Sequence, residues 1–287
     1  MTETNLTATL LVSCPDQRGL VATVAEFVFR NGGNIIHADQ HTDTGEQVFV
    51  QRVEWEMADF GIPRESLPAA FQPIADSYGM NWSLHFSDEI PRIAVLVSRE
   101  GHCLYDLLAR RRMGELSADI PIVISNHQNL EKAATDFGAE FFHLPVDAAT
   151  KPHQEARILE KLREWRIDLV VLARYMQILS PEFVQGYPHS IINIHHSFLP
   201  AFAGARPYRQ AYQRGVKLIG ATAHYATAEL DGGPIIAQDT VRVSHRDTEA
   251  TMVHKGRDLE MVTLARAVEL HLEHRTIVYG NKTAVFD

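Results

Sequence analysis

Apolar positions in the first ninety residues follow a strand, helix, strand, strand, helix, strand order. Thr7 to Ser13 is an apolar, β-prone run, and Gly19 to Arg30 places Leu20, Val21, Val24, Ala25, Phe27 and Val28 mostly on one helical face. Asn31-Gly32-Gly33 supplies the stop for that helix. Asn34 to Gln40 and Gln47 to Trp55 read as two strands separated by Thr42-Asp43-Thr44-Gly45, whose Asp and Gly suit a hairpin turn. A second helix is predicted near Arg64 to Tyr78. Pro68 fits its first turn, whereas Pro73 is expected to kink or break it. Met80 to Phe86 closes the set as a strand.

The pattern changes after Ser87-Asp88-Glu89-Ile90-Pro91, a polar, acidic, proline-ended stretch that reads as a linker. Ile93 to Val97, Ile120 to Ile124, Leu169 to Ala173 and Ile191 to Ile194 are short apolar runs. Amphipathic stretches at Leu104 to Arg112, Leu130 to Phe137 and Gln154 to Trp165 lie between them. Such alternation predicts a mostly parallel sheet with helices on its faces. A long helix is expected at about Thr248 to His274, with Met252, Leu259, Val262, Leu264, Ala265, Val268 and Leu272 on its apolar face. The expected division is residues 1–86, a linker at 87–91, and residues 92–287, all in the α/β class.

Composition narrows the function classes. Apolar residues make up 45% and charged residues 22% of 287, and no apolar run reaches the ~18 residues a bilayer span needs, so a membrane protein is excluded. Residues 1–5 carry acid and no Lys or Arg, unlike a secretory or transit leader, so the expected location is the cytoplasm. The acidity is local: residues 1–91 hold 4 Arg and no Lys against 13 Asp and Glu, a net of −9, while the remaining 23 basic and 23 acidic groups balance. No basic stripe is present to neutralise phosphates, so a nucleic-acid partner is rejected. Cys14 and Cys103 fall in different predicted domains without metal-binding spacing, and read as free structural thiols.

Candidate chemistry gathers at Ile192-Asn193-Ile194-His195-His196-Ser197-Phe198-Leu199-Pro200, at Ala223-His224-Tyr225 and at Leu230-Asp231-Gly232-Gly233-Pro234. Residues two apart on a strand project to one side, so Asn193 and His195 are expected to face one point, with Asp231 reaching it from a Gly-Gly-Pro turn. An amide, an imidazole and a carboxylate suit an oxyanion and general acid-base work. Ser197 lacks the Gly-flanked elbow of a serine nucleophile and reads as a loop-stabilising hydroxyl. His224 reads either as a support for the site or as a satisfied buried histidine. His195, His196 and His224 raise a metal site. Adjacent strand histidines are expected to point to opposite sides, and no metal-ligand spacing accompanies them, so none is expected.

These motifs resemble the folate-dependent formyltransferase family over residues 92–287. Asn193, His195 and Asp231 match its catalytic triad in their Asn-Ile-His-x-Ser-x-Leu-Pro and Leu-Asp-Gly-Gly-Pro contexts. The first part, with Cys14-Pro15-Asp16-Gln17-Arg18-Gly19-Leu20 between strand and helix, resembles an ACT domain of ferredoxin-like βαββαβ order. Within the family the chain is most similar to deformylases. His196 to Tyr208 matches their version of the loop, an ACT-like domain precedes it, and no tRNA-binding domain follows. The purine-pathway transferases need a Gly-rich phosphate cradle, and Ser98-Arg99-Glu100-Gly101-His102-Cys103 is a poor one.

The resemblance implies a Rossmann-like domain in which water accepts the formyl group of 10-formyltetrahydrofolate, feeding one-carbon and purine metabolism, with no cofactor. It also implies folate contacts at Met176, Gln177 and Leu179, within Ala173 to Ser180, and at Glu229 and Leu230, with His224 beside them. Asp16, Arg18 and Gly19 are the implied effector positions, for an amino acid. The same loop can equally be a plain helix entry in a domain that builds oligomers, and a homodimer or homotetramer is expected. Two rivals stand beside hydrolysis: formyl transfer to an amine, and an amino-acid sensor whose second domain is inactive.

Overall fold

The computed structural model describes residues 6–147, 150–201 and 207–286. They form two compact units. The first contains β1 (Thr7–Pro15), α1 (Leu20–Arg30), β2 (Asn34–Asp43), β3 (Val48–Glu56), α2 (Leu67–Tyr78) and β4 (Asn81–Phe86). Its antiparallel sheet runs in the order β2-β3-β1-β4, and Trp55, Phe71, Leu10, Val24 and Val28 form the core beneath both helices. Asp43 Oδ1 accepts from the amides of Gly45 and Glu46 (2.9 and 3.1 Å), making the turn between β2 and β3.

Pro73 does not break α2 as the sequence suggested; it sits inside the helix. Both Pro73 and Ala69, whose carbonyl loses its partner, lie on the exposed face, where water replaces the missing bond.

The expected boundary at 92–287 is corrected at its far end, because residues 273–287 belong with the first unit. They form the hairpin β12 (Thr276–Tyr279) and β13 (Lys282–Val285), which the apolar pattern did not reveal. Ile277 and Phe286 bury against Val50, with Leu11 and Val48 packed around them. Lys282 Nζ pairs with Asp43 at 2.8 Å, Arg52 Nε donates to the His274 carbonyl at 3.0 Å, and the His85 and His274 rings stack 3.6 Å apart.

The second unit spans Ile90–Leu272. Its strands are β5 (Arg92–Val97), β6 (Asp119–Ser125), β7 (Glu140–His143), β8 (Leu169–Ala173), β9 (Ile191–His195), β10 (Leu218–Tyr225) and β11 (Ile235–Arg242). Helices α3 (His102–Met113), α4 (Glu131–Asp136), α5 (Lys151–Glu164), α6 (Pro181–Gln185), α7 (Pro207–Arg214) and α8 (Glu249–Leu272) connect and cover them. The order is β11-β10-β9-β8-β5-β6-β7, parallel from β7 to β9, with β10 antiparallel to β9 and β11. The five residues of β8 are all buried, as a strand covered on both faces requires.

The chain runs outward from β5 through β6 and β7, then returns to β8 and β9 on the other side. This reversal puts the switch point of the sheet between β5 and β8, where open α/β sheets commonly bind ligands. Among the described residues no helix is long and apolar enough to cross a membrane. Both cysteines are free and buried.

Candidate active site

Strand register assembles the site. Asn193 on β9 lies beside Leu172 of β8 and directly opposite His224 of β10, while His195 lies opposite Thr222. Cross-strand neighbours bring side chains together, and Asn193 Nδ2 sits 3.1 Å from His224 Nε2. The other nitrogen of that ring, Nδ1, is 3.0 Å from the Tyr225 carbonyl and must donate to it. In the neutral ring Nε2 is therefore an acceptor, and Asn193 donates one amide proton to it. The second amide proton of Asn193 stays available. His224 is a satisfied buried histidine and a support for Asn193 at once, so the two sequence readings of it were compatible.

Asp231 enters from the turn between β10 and β11. Its backbone is left-handed, with φ 54°, a conformation that Asp tolerates better than most residues. Tyr225 N donates to the Pro234 carbonyl (2.9 Å), and a Cβ on Gly233 would lie 1.8 Å from the Tyr225 carbonyl oxygen. Only glycine allows this close return, which accounts for the Gly-Gly-Pro sequence. Asp231 Oδ1 lies 3.3 Å from His195 Nδ1 and 3.8 Å from His224 Nε2. His195 holds the Asp231 carboxyl well below the ordinary carboxylate range, against the opposing effect of its partial burial. Asp231 is ionised throughout the neutral range.

A cleft opens beside these groups. Asn193, His224 and Asp231 line it together with Gln177, Leu179, Glu229 and Leu230, five of its lining residues being among the six folate positions the sequence suggested. Leu172, Ile178 and Ala226 supply apolar wall. Met176 does not line it: its side chain is largely exposed, while its backbone amide donates to Ser98 Oγ at 3.1 Å. His195 is not a wall residue either. It is buried, with Nδ1 on Asp231 and with Nε2 lacking a hydrogen-bond partner among the described residues.

The loop after β9 is tied down by hydroxyls. Ser197 Oγ donates to the Ala201 carbonyl at 2.8 Å, the structural part read for it, and Thr222 Oγ1 donates to the Ser197 carbonyl at 2.9 Å. Phe202 to Arg206, part of the loop quoted in the sequence resemblance, lie outside the described residues. The expectation that His195 and His196 diverge is corrected. Strand β9 ends at His195, so alternation no longer governs His196, and the two rings lie 5.0 Å apart at 32°.

A cluster of four polar side chains near the site, Glu260, Tyr208, His102 and Arg174, was not singled out from sequence. Glu260 of α8, only 1% exposed, accepts from Tyr208 Oη at 2.6 Å, meets His102 Nε2 at 2.8 Å and stands 3.4 Å from Arg174 Nε. Burial pushes the Glu260 carboxyl up, but His102, Arg174 and Tyr208 together more than offset this, and the group is shifted down. His196, next to the same cluster, is pushed down to about 4 by burial and by the charges of Arg174 and His195. One readable signal existed. Met252, Gly256, Glu260, Leu264 and Val268 recur every fourth residue as a buried stripe, and a carboxylate in such a stripe needs partners. Among the described residues, His102, Cys103 and Glu260 are the group whose donor atoms approach one another within 4.8 Å. The Arg174 guanidinium beside Glu260 already supplies the positive charge there.

In the first unit, Asp16, Arg18 and Gly19 form an exposed loop at the start of α1. Gly19 is left-handed, with φ 92°, and no side chain caps the helix. Asp16 N is bound to the Gln47 carbonyl at 2.9 Å.

Sequence comparison covers both units. Residues 91–268 match the Formyl transferase family and residues 8–54 match the ACT domain family. The chain is 57% identical over 282 residues to a formyltetrahydrofolate deformylase of Synechocystis sp., covering 98% of this chain and 99% of the relative. It is 48% identical to that of Bacillus subtilis, with 97% and 93% covered. The crystal structure of a formyltetrahydrofolate deformylase from Pseudomonas syringae superposes with a TM-score of 0.97 at 46% identity, over 100% of this chain and 96% of the other. Agreement of that extent, running through both units and not only the larger one, makes the chain a member of the formyltetrahydrofolate deformylase family.

Proposed function

We propose that this chain hydrolyses 10-formyltetrahydrofolate to tetrahydrofolate and formate in the cleft beside Asn193 and Asp231. The observation that carries the reading is the pairing of His195 with an Asp231 carboxylate, next to an Asn193 amide that keeps a proton to donate. Apolar walls suit a flat heteroaromatic ring, and Gln177, Leu179, Glu229 and Leu230 are the contacts we assign to it.

Water supplies the new oxygen. Asp231 is too weak a base to keep a proton at neutral pH, so its part is to orient the water and stabilise the imidazolium, while His195 carries the proton. The water oxygen bonds to the formyl carbon, and the oxyanion that forms accepts from Asn193 Nδ2 and His195. Each such donor contributes about 3 kcal/mol in the transition state. When the intermediate collapses the carbon–nitrogen bond breaks, the folate nitrogen takes a proton, and formate leaves with one proton released to solvent.

Release of formate with no amine added tests this directly. Wild type is expected to release it, and Asp231→Asn and His195→Ala to lose it. Absence of release from folded wild type would turn the assignment toward amine acceptors or toward a sensor.

For the first unit we read the Asp16 to Gly19 loop as the site of a small amino-acid effector, because a helix start without a side-chain cap offers free amides to a carboxylate. Calorimetry with amino acids, repeated on Asp16→Ala, tests it. The exposed edge strand β2 supports a homodimer or homotetramer, and light scattering showing only 32 kDa particles would contradict that.

A further inference from the structure

We propose that Arg174 and Glu260 determine the acceptor: by filling the crevice on the far side of His195 with their own ion pair, they leave water as the nucleophile that can reach the formyl carbon. This rests on the hydrolase reading given above.

Two positions at the ends of the parallel strands matter here. One is the cleft lined by Asn193 and Asp231. The other lies at the switch point between β5 and β8, the default ligand position in such a sheet. There the chain places Ser98 just after β5, His102 at the start of α3 and Arg174 just after β8. Glu260 reaches in from α8 and binds His102, Arg174 and Tyr208. Ser98 is consumed as well, donating to Asn126 Oδ1 at 2.7 Å and accepting from Met176 N.

His195 separates the two sides. Its Nδ1 edge faces Asp231 and its ring packs on His196, on whose imidazole the charges of Arg174 and Glu260 both act. The parallel pairing of β8 with β9 runs to Leu172 and Asn193, and Arg174 and His195 each follow two residues further along the chain.

Two details mark Arg174 as placed at a cost. It is a non-glycine residue with φ 62°, a conformation that persists where surrounding contacts impose it. Its Nε and Nη1 atoms are buried, and among the described residues they lack hydrogen-bond partners, so the guanidinium is held by charge and shape. A cavity for a primary amine would have to occupy the same volume.

Removing the arginine should therefore open a second route. An entering amine would bond through nitrogen to the formyl carbon, the bond from that carbon to the folate nitrogen would break, and the proton lost by the amine would end on the folate nitrogen. The products are a substituted formamide and tetrahydrofolate.

The test uses the full-length protein with 10-formyltetrahydrofolate and methoxyamine as the probe, and measures the ratio of N-methoxyformamide to formate by mass spectrometry. Wild type is expected to yield formate with only the enzyme-free background of trapped product. Arg174→Gly, which suits the left-handed backbone, is expected to raise that ratio at least tenfold. Because this variant leaves Glu260 buried without its guanidinium, the double variant Arg174→Gly/Glu260→Gln is measured beside it. Tyr208→Phe, which removes a hydrogen bond without clearing volume, is expected to keep the wild-type ratio. An unchanged ratio in the folded double variant, with formate still released, overturns the inference and leaves the hydrolase reading standing. Trapping by wild type overturns the inference too. Loss of formate release from wild type itself overturns the hydrolase reading and the inference together.

Discussion

The cleft holding Asp231 and the crevice holding Glu260 each set a carboxylate beside histidine, yet they use it in opposite ways. Asp231 is partly exposed, meets His195 at one edge and faces a space open to solvent. Glu260 is wholly buried, His102 and Tyr208 hydrogen-bond to its oxygens, and the Arg174 guanidinium balances its charge. Residue type alone does not distinguish a reactive carboxylate from a structural one. The number of protein partners each oxygen already has, and whether water can reach the remainder, does.

The largest effect should come from Asp231→Asn. Asn keeps the left-handed backbone and the shape but loses the charge that supports imidazolium, so kcat for formate release is expected to fall on the order of a thousandfold or more with the fold intact. Circular dichroism beside the activity assay separates the two. Asn193→Ala should follow, with kcat lowered by about a hundredfold to a thousandfold and little change in KM, since its free amide proton acts on the transition state.

The buried side of the comparison is sharpened by pH. His196 has its folded pKa pushed down to about 4 from 6.5, so between those values the unfolded chain binds more protons than the folded one. Stability therefore falls as pH is lowered through this window, by at most about 3 kcal/mol. Asp231 and Glu260 are both shifted down, so their contributions are lost only at lower pH, below their ordinary values of 3.8 and 4.5. Urea midpoints from pH 7 to pH 4.5 should fall in the wild type and fall less steeply in His196→Asn, where His85, also shifted down by burial, still contributes. Gly256→Ala should be milder. A Cβ there meets Tyr208 Oη at 2.1 Å, so the tyrosine must shift from Glu260, at about 2 kcal/mol by denaturant titration.

Much of the fold was legible because the apolar periods differ. Period-two strands and the amphipathic helix of residues 20–30 fixed the first unit, and fully apolar pentads such as Leu169–Ala173 marked strands covered on both faces. Three features were not legible. The hairpin of β12 and β13 is short, and its place follows from Ile277 and Phe286 meeting Val50, a contact across more than two hundred residues. The pairing of Asn193 with His224 depends on the antiparallel register of β9 and β10, which no local pattern sets. In α8 the buried face turned out to include Gly256 and Glu260 while Val262, expected inside, is half exposed. Met252, Leu264, Ala265 and Val268 are buried as expected, and the packed face extends to Glu260 because His102, Arg174 and Tyr208 draw it in.

Legibility of the site was of another kind. Asn193, His195 and Asp231 stand in local sequence contexts whose geometry is short-range, a strand alternation and a Gly-Gly-Pro turn, and the structure brings those three together. Arg174 and Glu260 are 86 positions apart in sequence and join only through the sheet's switch point.

The most direct test of the central claim is the origin of the oxygen in the formate. Turnover of 10-formyltetrahydrofolate in water enriched in heavy oxygen, without any amine, should give formate carrying one oxygen from solvent, at a rate that Asp231→Asn abolishes. Formate without solvent oxygen, or formate released equally by Asp231→Asn, would contradict the account.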